Sequence, residues 1–142
     1  MKKLIASLLL LFIALPAAAE FGLEQFKDQQ RPLLVFSPDN KHAAYQETTR
    51  AVAARQEGFD RRDMVLLSVF RNTGSADDYY LSSADANQLR DRYDIADEEF
   101  RLLLIGKDGG IKFESNEAAN LDELFELIDA MPMRQREMRQ SR

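Results

Sequence analysis

Three unbroken apolar runs constrain this chain more than anything else in it. They are Leu33-Leu-Val-Phe36, Met64-Val-Leu-Leu67 continued by Val69-Phe70, and Leu102-Leu-Leu-Ile105. None alternates polar with apolar. Short continuous runs of this kind belong to strands covered on both faces, so each side of the sheet needs helices. The gaps have room for them. Residues 39–57 contain no glycine or proline and carry a modest stripe of Tyr45, Thr48 and Val52, with Gly58 in a C-cap position. A second helix is predicted from Ser82 or Ser83, with Asp85 placed for a capping box and Leu89 and Tyr93 on its apolar side. A third starts from Asn120 as N-cap, shows Leu121, Leu124, Phe125, Leu127, Ile128 and Met131 on one face, and is closed by Pro132.

A fourth strand follows from Lys107-Asp-Gly-Gly110 and Ile111-Lys-Phe-Glu-Ser115. Asp-Gly between apolar segments is a strong hairpin signal, so the last two strands are expected to be antiparallel. Helical crossovers should make the first two strands parallel. The order βαβαββα is that of a thioredoxin-like three-layer α/β/α sandwich with a central four-stranded mixed sheet. Residues 71–78 read as a polar loop. Residues 133–142, with four arginines and one glutamate, read as a basic tail, frayed or disordered.

The first 19 residues read differently. Met-Lys-Lys, a largely apolar stretch over 4–15, and Pro16-Ala-Ala-Ala19 make the pattern of a secretory signal peptide, with the cut between Ala19 and Glu20. The apolar stretch is well short of the ~20 residues that span a bilayer. The expected product is residues 20–142, with a domain over 20–132, exported to the periplasm or beyond and not inserted in a membrane. Loss of Lys2 and Lys3 lowers the net charge from −5 to −7. That balance argues against a nucleic-acid partner, which calls for a clustered basic face.

Several segments of this sequence resemble one family. They are Arg31-Pro-Leu-Leu-Val-Phe36, Arg62-Asp-Met-Val-Leu66, Leu103-Leu-Ile-Gly-Lys-Asp-Gly-Gly110, Leu121-Asp-Glu-Leu-Phe125 and Ile128-Asp-Ala-Met-Pro-Met133. The family is catalogued as domain of unknown function 4174, and the resemblance spans roughly residues 26–139. It implies a thioredoxin-like fold with a distant likeness to peroxiredoxins, and a relation to domains found beside sushi repeats in secreted animal matrix proteins.

Thioredoxin-like enzymes place a reactive cysteine where the first core strand runs into a helix, because the helix N-terminus lowers the thiol's pKa. Here that junction reads Ser37-Pro-Asp-Asn-Lys-His42, and the chain has no cysteine. Disulfide and sulfenic-acid cycling both need one. The place of the facing cis-proline of redox-active members reads Asp97-Glu-Glu-Phe100.

Ser37, Asp39 and His42 are residue types of a hydrolytic triad, but a triad converges from separate segments, whereas these lie within six residues. Ser37 or Asp39 serves equally as a helix N-cap. His42 is the single histidine, and no acidic segment has calcium-loop spacing, so no metal site is expected. Met131, Met133 and Met138 suggest copper(I) only weakly, since Met131 continues an apolar face. Lys107-Asp-Gly-Gly110 lacks the spacing of a phosphate loop. Tyr79 and Tyr80 form a contact patch if both are exposed, or a lid on the core if one packs. The expectation is an exported binding or accessory module, acting on another protein, with no cofactor and no thiol redox activity. The alternative is a cysteine-independent enzyme working from the loop between Ser37 and His42.

Overall fold

The structure is a computed structural model and describes residues 21–71, 74–76 and 79–142. Ala19 and Glu20, and with them the leader and its cut, lie outside the described residues. A 3-10 turn (Leu23–Phe26) precedes β1 (Arg31–Ser37), α1 (Ala43–Ala54), α2 (Gln56–Asp60), β2 (Met64–Phe70), β3 (Gly74–Ala76) and β4 (Tyr79–Leu81). Then come α3 (Ser83–Tyr93), β5 (Arg101–Ile105), β6 (Ile111–Ser115), α4 (Leu121–Asp129) and α5 (Pro132–Gln140).

The expected four-stranded mixed sheet is present in the order β2-β1-β5-β6 and is extended by β3 and β4 to six strands. β1 and β2 are parallel, with Arg31 opposite Met64 and Ser37 opposite Phe70. β1 and β5 are antiparallel, and β5 and β6 form the hairpin. Gly109 takes φ +84 in the turn, a conformation that costs glycine little.

Every residue of β1 is buried. Its alternate side chains enter two cores. Leu34 and Phe36 join Leu67, Val69, Leu103 and Ile105 beneath α3. Leu33 and Val35 join Leu102, Leu104, Phe59 and Phe125 beneath α1, α2 and α4. That division explains why the runs do not alternate: neither face of the central strands β1 and β5 is turned to water. Each fully buried aliphatic side chain contributes roughly 1.5–3 kcal/mol.

The caps at Ser82 and Asn120 form as the sequence indicates. Ser82 and Asp85 make a reciprocal capping box, and Asn120 Oδ1 accepts from Glu123 N–H at 3.3 Å. Gly58 is not a C-cap. α1 ends at Ala54, and Gly58 lies inside α2, where a Cβ would come within 2.8 Å of the Phe125 ring. Glycine there permits the close approach of α2 to α4.

The basic tail is neither frayed nor disordered. Pro132 opens α5 at N1 rather than closing α4, which stops at Asp129. The helix lacks an apolar face and is held by charge. Glu137 pairs with Arg31 at 3.2 Å and Lys107 at 2.6 Å, and Arg134 pairs with Asp129 at 3.3 Å. Burial pushes the Glu137 carboxyl up, but hydrogen bonds from Lys107 and Arg31, together with their charges, hold it below its usual value.

Candidate functional site

The junction between β1 and α1 is closed at its base, while Asp39, Asn40 and Lys41 are exposed. Ser37 is fully buried, and its hydroxyl donates to the Asp39 carbonyl at 2.8 Å. Asp39 Oδ1 accepts from the backbone N–H groups of Lys41 and His42 at 2.8 and 3.0 Å, forming an Asx turn ahead of the helix. His42 occupies the N-cap position of α1 without capping through its side chain. Its ring lies flat on Phe100, with centroids 5.3 Å apart and planes 1° apart. Phe100 thus covers the helix start from the segment where a cis-proline is sought in redox-active folds. No hydrogen bond joins the side chains of Ser37, Asp39 and His42 to one another. The hydroxyl and the carboxylate serve the local backbone instead.

Arg90 completes this closure, and sequence reasoning missed it. Its guanidinium is buried and donates to the carbonyls of Ser37 at 2.9 Å, Val69 at 3.2 Å and Ala96 at 2.8 Å. One side chain therefore satisfies carbonyls at the ends of β1 and β2 and in the loop after α3. Burial lowers its pKa, countered by the charge of Asp97. The signal was available, because Arg90 follows Ala86 by four residues in the stripe that α3 turns toward the core.

Tyr79 and Tyr80 part company. Tyr79 packs edge-on against Phe26 at 5.0 Å and donates to Gln30 Oε1 at 3.3 Å. Tyr80 is 78% exposed. Their neighbours Asp77 and Asp78 lie outside the described residues. Met131 packs against the core beneath α1, α2 and α4, and with Met133 it lines a small cleft. No group of three His, Cys, Asp or Glu side chains is placed to hold a metal ion among the described residues.

A larger cleft lies elsewhere, along the outer edge of β2. β3 pairs with β2 only at Ser68 and Val69. Residues 64–67 therefore have β1 on one side and no strand on the other among the described residues. The cleft beside them has a volume of about 670 Å³, and its lining includes Tyr45, Thr49 and Gln56 from α1 and α2, Val65 and Leu66 from β2, and Tyr79. Among the described residues, Asp60 is the sole lining carboxylate.

Comparison with known proteins settles the family. The model of the family described as domain of unknown function (DUF4174) matches residues 22–137. This chain belongs to that family. A member of the curated proteins, coiled-coil domain-containing protein 80 of Danio rerio, is 26% identical over 140 residues. That match takes in 87% of this chain and 16% of the fish protein's length.

Among solved structures, thioredoxin peroxidase I of Plasmodium yoelii superposes with TM-score 0.59 at 19% identity, covering 80% of this chain and 79% of its own. The reduced 2-Cys peroxiredoxin of Plasmodium vivax gives 0.59 at 20% identity, covering 80% and 72%. AhpC of Mycobacterium tuberculosis gives 0.51 at 18% identity, covering 72% and 69%. At these identities the likeness shows the thioredoxin fold alone. This DUF4174 chain shares that fold and carries no cysteine.

Proposed function

We propose that this chain is an exported, thioredoxin-fold binding module without thiol redox chemistry, which recognises an extended segment of another protein along β2. One observation carries the reading: among the described residues β2 has no outer strand neighbour over residues 64–67, beside a cleft of about 670 Å³. An open strand edge presents unpaired N–H and C=O groups, and an extended peptide completes it by β-augmentation. The lining suits such a guest. Gln30, Gln56, Thr49 and Tyr45 line it with amide and hydroxyl groups that a guest would share with their present partners, such as Ser68 for Tyr45 and Asp60 for Gln56, and the Asp60 carboxylate favours a basic side chain on the partner. The closed junction supports the same reading, because Ser37 and Asp39 already serve the backbone. That arrangement gives the enzymatic alternative no support.

Selection of displayed random peptides on residues 20–142 tests this. Extended peptides carrying Lys or Arg are expected, and Thr49→Trp, which fills the cleft, should abolish their binding while leaving the fold intact. Selection of nothing saturable, or of peptides indifferent to Thr49→Trp, contradicts the proposal. Export is tested separately by expressing the whole chain in a bacterium and sequencing the N-terminus of the periplasmic fraction. The product is expected to begin at Glu20. A protein retained inside with residues 1–19 attached contradicts it.

A further inference from the structure

A second cleft, of about 350 Å³, lies at the opposite end of β1 from the junction, where the β5–β6 turn meets α5. Its volume is at the lower end of the range for small-molecule sites. Met131, Pro132 and Met133 supply apolar lining, and Arg31, Lys107, Lys112 and Arg136 supply positive charge. Lys112 pairs with Asp108 at 2.7 Å. Arg31 and Lys107 share Glu137, and Lys107 also meets Asp63 at 2.8 Å. Arg134 lies between Glu137 and Asp129, and Arg62 also pairs with Asp129. Arg136 has no ion-pair partner among the described residues. Six cations thus face four carboxylates, on a chain whose net charge is −5.

Two further features favour an anion here. α5 starts at the cleft, with Pro132 at N1 and no side-chain cap, so its first-turn N–H groups and its dipole are available to negative charge. Arg31, only 1% exposed, lines the same cleft and has a buried Nε without a hydrogen-bond partner. The three apolar lining residues disfavour a fully solvated inorganic dianion, which would leave them without contact and lack donors on that side.

We propose that this cleft binds a small amphiphilic carboxylate, its head at Arg136, Lys112 and the α5 N-terminus, its hydrocarbon against Met131, Pro132 and Met133. The test is a titration of residues 20–142 with hexanoate, followed through the methyl NMR signals of Met131 and Met133, with 1-hexanol and inorganic phosphate as separate probes. Hexanoate is expected to saturate both signals at ~1 mM or below, in keeping with what so few atoms can contribute. Hexanol and phosphate are each expected to bind at least about five-fold more weakly, since each lacks one half of the recognition. Arg136→Gln should weaken hexanoate about five-fold, and Lys112→Gln more, because it also leaves Asp108 free to repel the ligand. Arg50→Gln, on the exposed side of α1, should change nothing. Absence of saturation, equal binding of hexanol or phosphate, or an unchanged affinity in Arg136→Gln overturns the proposal.

Discussion

The β1–α1 junction and the outer edge of β2 belong to the same sheet and treat their polar backbone in opposite ways. At the junction, Arg90 takes up the carbonyls of Ser37, Val69 and Ala96, Asp39 takes up two N–H groups, and Phe100 covers His42. Along β2, residues 64–67 have no strand neighbour beyond β1 among the described residues, and a cleft runs beside them. The Ser37 hydroxyl and the Asp39 carboxylate are therefore absorbed by local structure, and the His42 ring is stacked on Phe100 with its Nδ1 buried and unbonded. The surface we propose for recognition arises from unequal strand lengths, which no residue type announces.

This contrast can be broken from either side. The largest effect is expected at the closed end. Arg90→Met removes the donor to the buried carbonyls of Ser37 and Val69 and to the more exposed carbonyl of Ala96, and should cost about 3 kcal/mol of stability, measured by urea unfolding. Peptide binding at β2 should be unchanged under folding conditions. A cost near zero would mean that water replaces the guanidinium and that the junction is not closed.

Next comes the charged attachment of α5. Glu137→Gln removes the carboxylate shared by Arg31 and Lys107 and should cost about 2 kcal/mol near neutral pH. The pH dependence has a definite sign. The pKa of Glu137 is held below its ordinary 4.5 in the folded chain. Its contribution is therefore fully present above that value and is lost as pH falls through the folded value. Asp129 behaves alike: burial raises its pKa, but Arg62 and Arg134 outweigh burial and hold it below 3.8. Stability should fall as pH drops below about 4.5, and less steeply in Glu137→Gln. An unaltered slope in that variant would contradict the pairing.

Smaller effects follow. Asp39→Ala should cost about 1 kcal/mol, the size of a lost backbone cap, and should leave binding untouched. Thr49→Trp should move stability by no more than about 0.5 kcal/mol while removing binding. A variant that loses both together would merge the two regions that the structure separates.

Much of the fold was legible because burial writes itself into sequence. The runs at 33–36, 64–67 and 102–105 are unbroken because the sheet is covered on both faces, and Lys107-Asp-Gly-Gly110 names its own turn. β3 and β4 were not legible: three-residue strands in a polar segment are too short to show a period. α5 escaped because it docks through Glu137 and Arg134 rather than through an apolar stripe. Gly58 looked like a helix end because the ring that requires it, Phe125, is distant in sequence. At the candidate site, the location of Ser37, Asp39 and His42 could be read, but the guanidinium beneath them could not. The β2 cleft depends on where β3 stops, which only the register shows.

Amide hydrogen exchange tests the central claim most directly. With a selected peptide bound, the amides of Met64, Val65, Leu66 and Leu67 that face away from β1 should slow by at least about ten-fold, as expected for new ladder hydrogen bonds. Those of Asn40, Lys41 and His42 should not change. Slowing confined to residues 37–42, with residues 64–67 unaltered, would place recognition at the junction and contradict the account.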